Sequence, residues 1–211
     1  MRWDWDQIYF LTERLLLKNK INDMNFFKSV LITVCFFAVA SKIFSQDKFF
    51  TKSGKVQFDA TTSTSPEKVA AVTNALICVV DTKSGAIQFS VVMKSFEFKN
   101  ALMQEHFNEN YVESNKFPKA DFKGTILNNN DINYTKEGTN KVKVKGQLTI
   151  HGISKEIETE GLLNIKGGKI NATASFPVIL KDFDISVPSL VADKVANNAK
   201  INIDCSLEPL K

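Results

Sequence analysis

From about residue 50 onward, apolar and polar side chains alternate with a period of two. In "KVKVKGQLTI" one face carries Val142, Val144, Gly146, Leu148 and Ile150, and the other carries Lys141, Lys143, Lys145 and Gln147. "AIQFSVVM" sets Ile87, Phe89, Val91 and Met93 together, "EIETEGLLNI" sets Ile157, Thr159, Gly161, Leu163 and Ile165 together, and "INIDCSL" aligns Ile201, Ile203, Cys205 and Leu207. Successive strand side chains point to opposite faces, so such runs predict antiparallel strands with one dry and one wet face. Turn chemistry punctuates them: "DTKSGA", "NNND", "IHGISK" and "NIKGGKI". The pattern predicts eight strands, at 54–61, 74–82, 85–98, 118–129, 131–136 leading into 140–150, 154–166, 169–180 and 198–208. Two short helices are expected, Ser65–Val72 behind a Ser cap with Pro66 in its first turn, and Asn100–Asn110. This all-β reading fits a closed barrel or a two-sheet sandwich.

The N-terminal residues break the pattern. "MNFFKSVLITVCFFAVASKIFSQ", starting at Met24, has one early lysine, an apolar run from Ser29 to Ala40, and then small and polar residues. This is the order of a secretory signal, whose apolar core spans about 7–15 residues, against about 20 for a membrane span. The expected organisation is residues 1–23 as an over-extended start, 24–45 as a cleaved signal and 46–211 as one exported domain, periplasmic or secreted. Cys35 lies within the apolar run and is not read as a lipid attachment site. Both tryptophans, Trp3 and Trp5, precede Met24.

Charge and candidate chemistry narrow the function. Among 211 residues, 27 Lys and Arg stand against 23 Asp and Glu, for a net charge of +4, and no basic patch with interleaved aromatics points to nucleic acid. "EHFNE" around His106 is not a zinc-protease motif, and His151 stands alone in "TIHGIS". No Gly-x-Ser-x-Gly elbow is present. Cys78 and Cys205 fall inside apolar strand runs, where thiols are usually inert packing, although an oxidising compartment permits their pairing. Glu156, Glu158 and Glu160 alternate on a wet face. No catalytic residue, metal ligand or cofactor site is therefore assigned. The apolar face is rich in phenylalanine, which either fills a core or walls a cavity.

Three features in order carry a family likeness: a strand running into a short helix with the pair His106–Phe107, then Phe117-Pro118-x-x-x-Phe122 opening the next strand, then "GQLTIHGISK" from Gly146 to Lys155. Over about residues 50–210 the chain resembles the YceI-like family of bacterial secreted proteins. The resemblance implies an eight-stranded antiparallel lipocalin-like barrel with one or two short helices, closed around an elongated apolar tunnel. It implies a non-catalytic role, carrying an isoprenoid or other long-chain lipid. The implied apolar lining is Phe58, Phe89, Val91, Met93, Phe96, Phe98, Phe107, Phe122, Leu148, Ile150, Leu163, Phe176, Phe183 and Ile203, with Leu102, Met103 and Phe107 on the dry side of the helix. Family members often carry an arginine ahead of that helix, where this chain has only Lys94 and Lys99. The expected partner is the lipid, with a homodimer left open. The alternative is the same barrel with a filled core, acting as a structural or interaction module.

Overall fold

The computed structural model describes residues 47–210; the expectations for residues 1–23 and 24–45, and for Cys35, lie outside them. The described chain forms β1 (Lys48–Thr61), β2 (Ala70–Asp81), β3 (Ala86–Val92), the two-residue β4 (Glu97–Phe98), helix α1 (Ala101–His106), β5 (Lys119–Ile126), β6 (Gly138–Ile150), β7 (Ile153–Lys166), β8 (Lys169–Ile179) and β9 (Val195–Pro209). The eight long strands follow the order β1-β9-β8-β7-β6-β5-β3-β2. The pairing of β2 with β1 closes them into an antiparallel barrel, and β4 adds to β2. Closure removes the sheet edges that would otherwise invite pairing with other chains.

The connections define two ends. Residues 82–85, 127–137 and 167–168 cross one end, the floor; residues 62–69, 93–118, 151–152 and 180–194 cross the other, the rim. Packing differs between them. Toward the floor, Leu76, Cys78, Val80, Ile126, Leu163, Ile170, Cys205 and Leu207 are fully buried and fill the space between strands. Near the rim, Phe58, Phe89, Phe98, Ile150, Ile157, Phe176 and Ile201 are only partly buried.

Several sequence expectations are corrected. Ser65–Val72 is not a helix. Val69 O accepts from Ala60 N, Val69 N donates to Thr61 Oγ1, and Val72 pairs with Gln57, so non-local strand pairing overrides the local cap signal. Residues 131–136 form no strand; Asn129–Asp131 make a 3-10 turn, and Asn133 Oδ1 accepts from the Thr135 N–H in a second turn. The run 85–98 is broken by a 3-10 turn at Met93–Ser95, whose Ser95 hydroxyl donates to Val92 O and meets the Thr73 hydroxyl. β1 and β2 each start earlier than the sequence pattern indicates. β1 carries a bulge between Thr51 and Gly54, which masks its alternation.

Candidate functional site

An apolar cavity of about 330 Å³ runs from the rim into the barrel, bordered as deep as Ile87, Val142, Leu163 and Ala172. Each strand contributes inward positions, which the period of two places on one face. Thirteen of the fourteen residues expected to line an interior do so: Phe58, Phe89, Val91, Met93, Phe96, Phe98, Phe107, Phe122, Leu148, Ile150, Leu163, Phe176 and Ile203. Phe183 does not. It is buried at the end of the 3-10 turn Leu180–Phe183, outside the cavity wall, and its carbonyl accepts from the His151 ring.

The lid over one side of the cavity is built from α1 and the π-type turn that follows it, Phe107–Tyr111. Asn100 caps the helix, its side-chain oxygen accepting from the N–H groups of Leu102 (2.9 Å) and Met103 (3.4 Å). Gln104 accepts from Phe98 N at 3.1 Å, tying the lid to β4. Phe107 anchors it, its ring lying 5.0 Å from Phe98, 5.7 Å from Phe58 and 5.8 Å from Phe96, centroid to centroid. Such tilted pairs add about 0.5–1.5 kcal/mol each beyond burial. Met103 faces the cavity, but Leu102 is 57% exposed, so the expected dry face of the helix is narrower by one residue.

His106 and His151 have different surroundings. His106 is exposed at the C-terminal end of α1 and borders the cavity. His151 holds the rim together. It sits in the β6–β7 turn at φ +52°, followed by Gly152 at φ +75°. Its Nδ1 lies 3.0 Å from Phe183 O and its Nε2 2.8 Å from Glu113 Oε2. Both nitrogens face oxygen acceptors, so a doubly protonated ring satisfies both and a neutral ring only one. The Phe117 ring packs edge-on against the imidazole at 4.5 Å, and a Cβ on Gly152 would lie 2.5 Å from that ring. The Phe117–Pro118 and His151–Gly152 motifs therefore meet in space as a clamp between three rim segments. The hydrogen bond from His151, helped by Lys116, holds the Glu113 carboxyl below its ordinary value of 4.5.

The remaining polar groups bordering the cavity are scattered: Tyr111, Asp121, Thr159, Glu160, Thr173 and Lys194. Burial pushes the Tyr111 phenol up. Lys94 donates to Asn115 Oδ1 at 2.6 Å and Lys99 does not border the cavity, so the cation at the opening is Lys194. Lys194 lies in an irregular segment, where no periodicity announces it. Among the described residues, no three His, Cys, Asp or Glu side chains converge as a metal site. Cys78 and Cys205 are free and buried. The hydrogen bond with Cys205, reinforced by burial, pushes the Cys78 thiol far up, so Cys78 is not poised as a nucleophile.

Other lining residues escaped the sequence reading. Ile87 and Ile157 were available from strand alternation, but Val69, Val112, Ile185 and Val195 come from the loops and strand ends at the rim.

The defining pattern of the YceI-like domain matches residues 36–207. The chain belongs to the YceI-like family. No curated protein matches it. Solved structures share the fold: a polyisoprenoid binding domain from Saccharophagus degradans implicated in plant cell wall breakdown aligns at 11% identity, covering 78% of this chain and 99% of its own, with a TM-score of 0.66. BcnA of Burkholderia cenocepacia aligns at 16% identity over 73% of this chain and 95% of its own, with a TM-score of 0.59. At these identities the likeness is one of fold, and the YceI-like barrel here is closed, antiparallel and eight-stranded, as the family resemblance implies.

Proposed function

We propose that this YceI-like protein is a non-catalytic carrier that shelters the chain of a polyisoprenoid or similar amphiphilic lipid inside its barrel, after export to the periplasm or the cell exterior. The observation that carries this reading is the cavity of about 330 Å³, lined by aromatic and aliphatic side chains and open at the rim. It falls within the range of small-molecule sites, about 300–1,000 Å³. A void of that size left dry would cost about 8 kcal/mol at about 24 cal/mol per Å³, comparable to a whole domain's stability. A filled-core module therefore fits poorly. Each isoprene unit brings five carbons and contributes roughly 4 kcal/mol on burial before ordering costs, so a few units suffice for tight binding. The Saccharophagus degradans relative, a polyisoprenoid binding domain, supports the same ligand class. The apolar run Ser29–Ala40 supports export.

Protein isolated from the exported fraction of its native host, extracted with organic solvent and examined by mass spectrometry, is expected to release a prenyl lipid in stoichiometric amount. Its N-terminal residue is expected to be Gln46. Lipid-free protein that also shows no saturable uptake of a dansyl-tagged farnesyl chain would sink the reading.

A further inference from the structure

The barrel wall is not zipped along its full height. β7 and β8 pair from Lys166↔Lys169 as far as Gly161↔Ala174 and no further. Both strands continue toward the rim, β7 still bonded to β6 as far as Ile153 and β8 still bonded to β9 as far as Ile179. If the register continued, Thr159 would face Phe176 and Ile157 would face Val178, but neither pair forms. The two strands splay into a slit, forked at Gly161 and Ala174 and bridged at its rim end by the His151–Phe183 hydrogen bond.

The cavity runs into this slit. On β7 the inward positions are Ile157, Thr159 and Gly161, and the outward ones include Glu160 and Leu162. Yet Glu160 and Leu162 border the cavity, as does the outward Thr173 of β8. Gly161 has no side chain, so the cavity reaches the backbone of both strands there, at the start of the unpaired stretch. The slit's inner lips are apolar apart from Thr159, and Ile179 stays exposed on its outer side.

Size gives the slit a use. A cavity of about 150 Å³ holds a benzene ring, so about 330 Å³ holds about 13 carbons, between two and three isoprene units. A longer chain has to leave the enclosed space. The floor is packed solid and α1 covers part of the rim, whereas the slit offers a continuous apolar path through the wall.

We propose that the slit between β7 and β8 is a lateral portal through which the lipid chain enters broadside and through which the excess of a long chain emerges. The portal rests on the lipid-carrier reading, and the test separates the two. Glu160 and Ser175 are exposed and face each other one step beyond the fork in the continued register. In a Glu160→Cys/Ser175→Cys variant, oxidised glutathione takes two electrons from the paired thiols and leaves as two reduced glutathiones. The new disulfide closes the slit from outside.

The cross-linked form is expected to take up a dansyl-tagged farnesyl chain about tenfold more slowly or worse, to lose binding of a dansyl-tagged long polyprenol, and to recover both on reduction with dithiothreitol. Equal rates and affinities in both forms overturn the portal and leave the carrier reading standing. Absence of uptake by the reduced form overturns both. The unmodified protein supplies an independent measurement: backbone amides of residues 157–160 and of Ser175, Phe176 and Val178 are expected to gain protection from hydrogen exchange when the long polyprenol binds. Unchanged protection on binding overturns the portal as well.

Discussion

Filling the cavity from within gives a sharp test of its hollowness. Ala174 points inward from β8, borders the cavity, and faces Gly161 on one side and Ile203 on the other. Ala174→Phe adds a phenyl ring where the nearest neighbour across β7 has no side chain. A ring of that kind occupies a cavity of about 150 Å³, close to half of the space available here. The lost room corresponds to about six carbons, or about 5 kcal/mol of gross burial at about 0.8 kcal/mol per carbon. Ordering costs refund part of this, leaving about 2 kcal/mol, which is a dissociation constant about 30-fold weaker. Stability is expected to move the other way: the ring covers apolar wall that was facing empty space, so unfolding free energy is unchanged or rises by about 1 kcal/mol. Urea unfolding measures the second quantity and fluorescence titration with tagged farnesyl the first. In a solid core the same substitution overpacks, costing about 1–3 kcal/mol. A stability loss of that size with unchanged affinity would refute the hollow-barrel reasoning.

Three other outcomes follow from local geometry. A Cβ on Gly54 would lie 2.7 Å from Cys205 Sγ and 3.1 Å from Leu76 O, so Gly54→Ala is expected to cost about 2 kcal/mol in urea unfolding. Part of that loss returns when Cys205→Ala is added, and a strictly additive double-mutant cycle would contradict the contact. The buried thiols of Cys78 and Cys205 are expected to resist alkylation in the folded protein and to react together in denaturant; mass spectra showing rapid labelling of native protein would contradict their packing. Glu113, held below 4.5 chiefly by the His151 hydrogen bond, contributes stability that is present above its ordinary range and lost as pH falls through its lowered folded value. The stability difference between wild type and Glu113→Gln is therefore expected to shrink below pH 4.5, and a difference independent of pH would exclude the clamp.

Much of the barrel could be read along the chain because alternation is a local record of a non-local fact. Val142, Val144 and Leu148 occur two or four apart because one face of β6 is dry, and the same logic placed most of the lining. Where local signals competed with distant partners they misled. Ser65 and Pro66 resemble a helix start, but β1 claims the segment after them. Phe183, between Asp182 and Asp184, reads as an apolar position of the lining, but it lies buried in a 3-10 turn and does not border the cavity. Lys194 and Ile185 reach the cavity from segments with no period to read.

The sequence by itself determined the strand directions, the tight His151–Gly152 corner, the aromatic inward face and the YceI-like membership, because each depends on residue order within one or two elements. Only the tertiary structure decided whether that face encloses space. Alternation states which side chains point inward, not how far apart the strands carrying them stand. The hollow at the rim, the meeting of the two thiols beside Gly54 and the slit beyond Gly161 and Ala174 all depend on the distance between strands. That distance is set by barrel closure and by where small residues fall opposite one another.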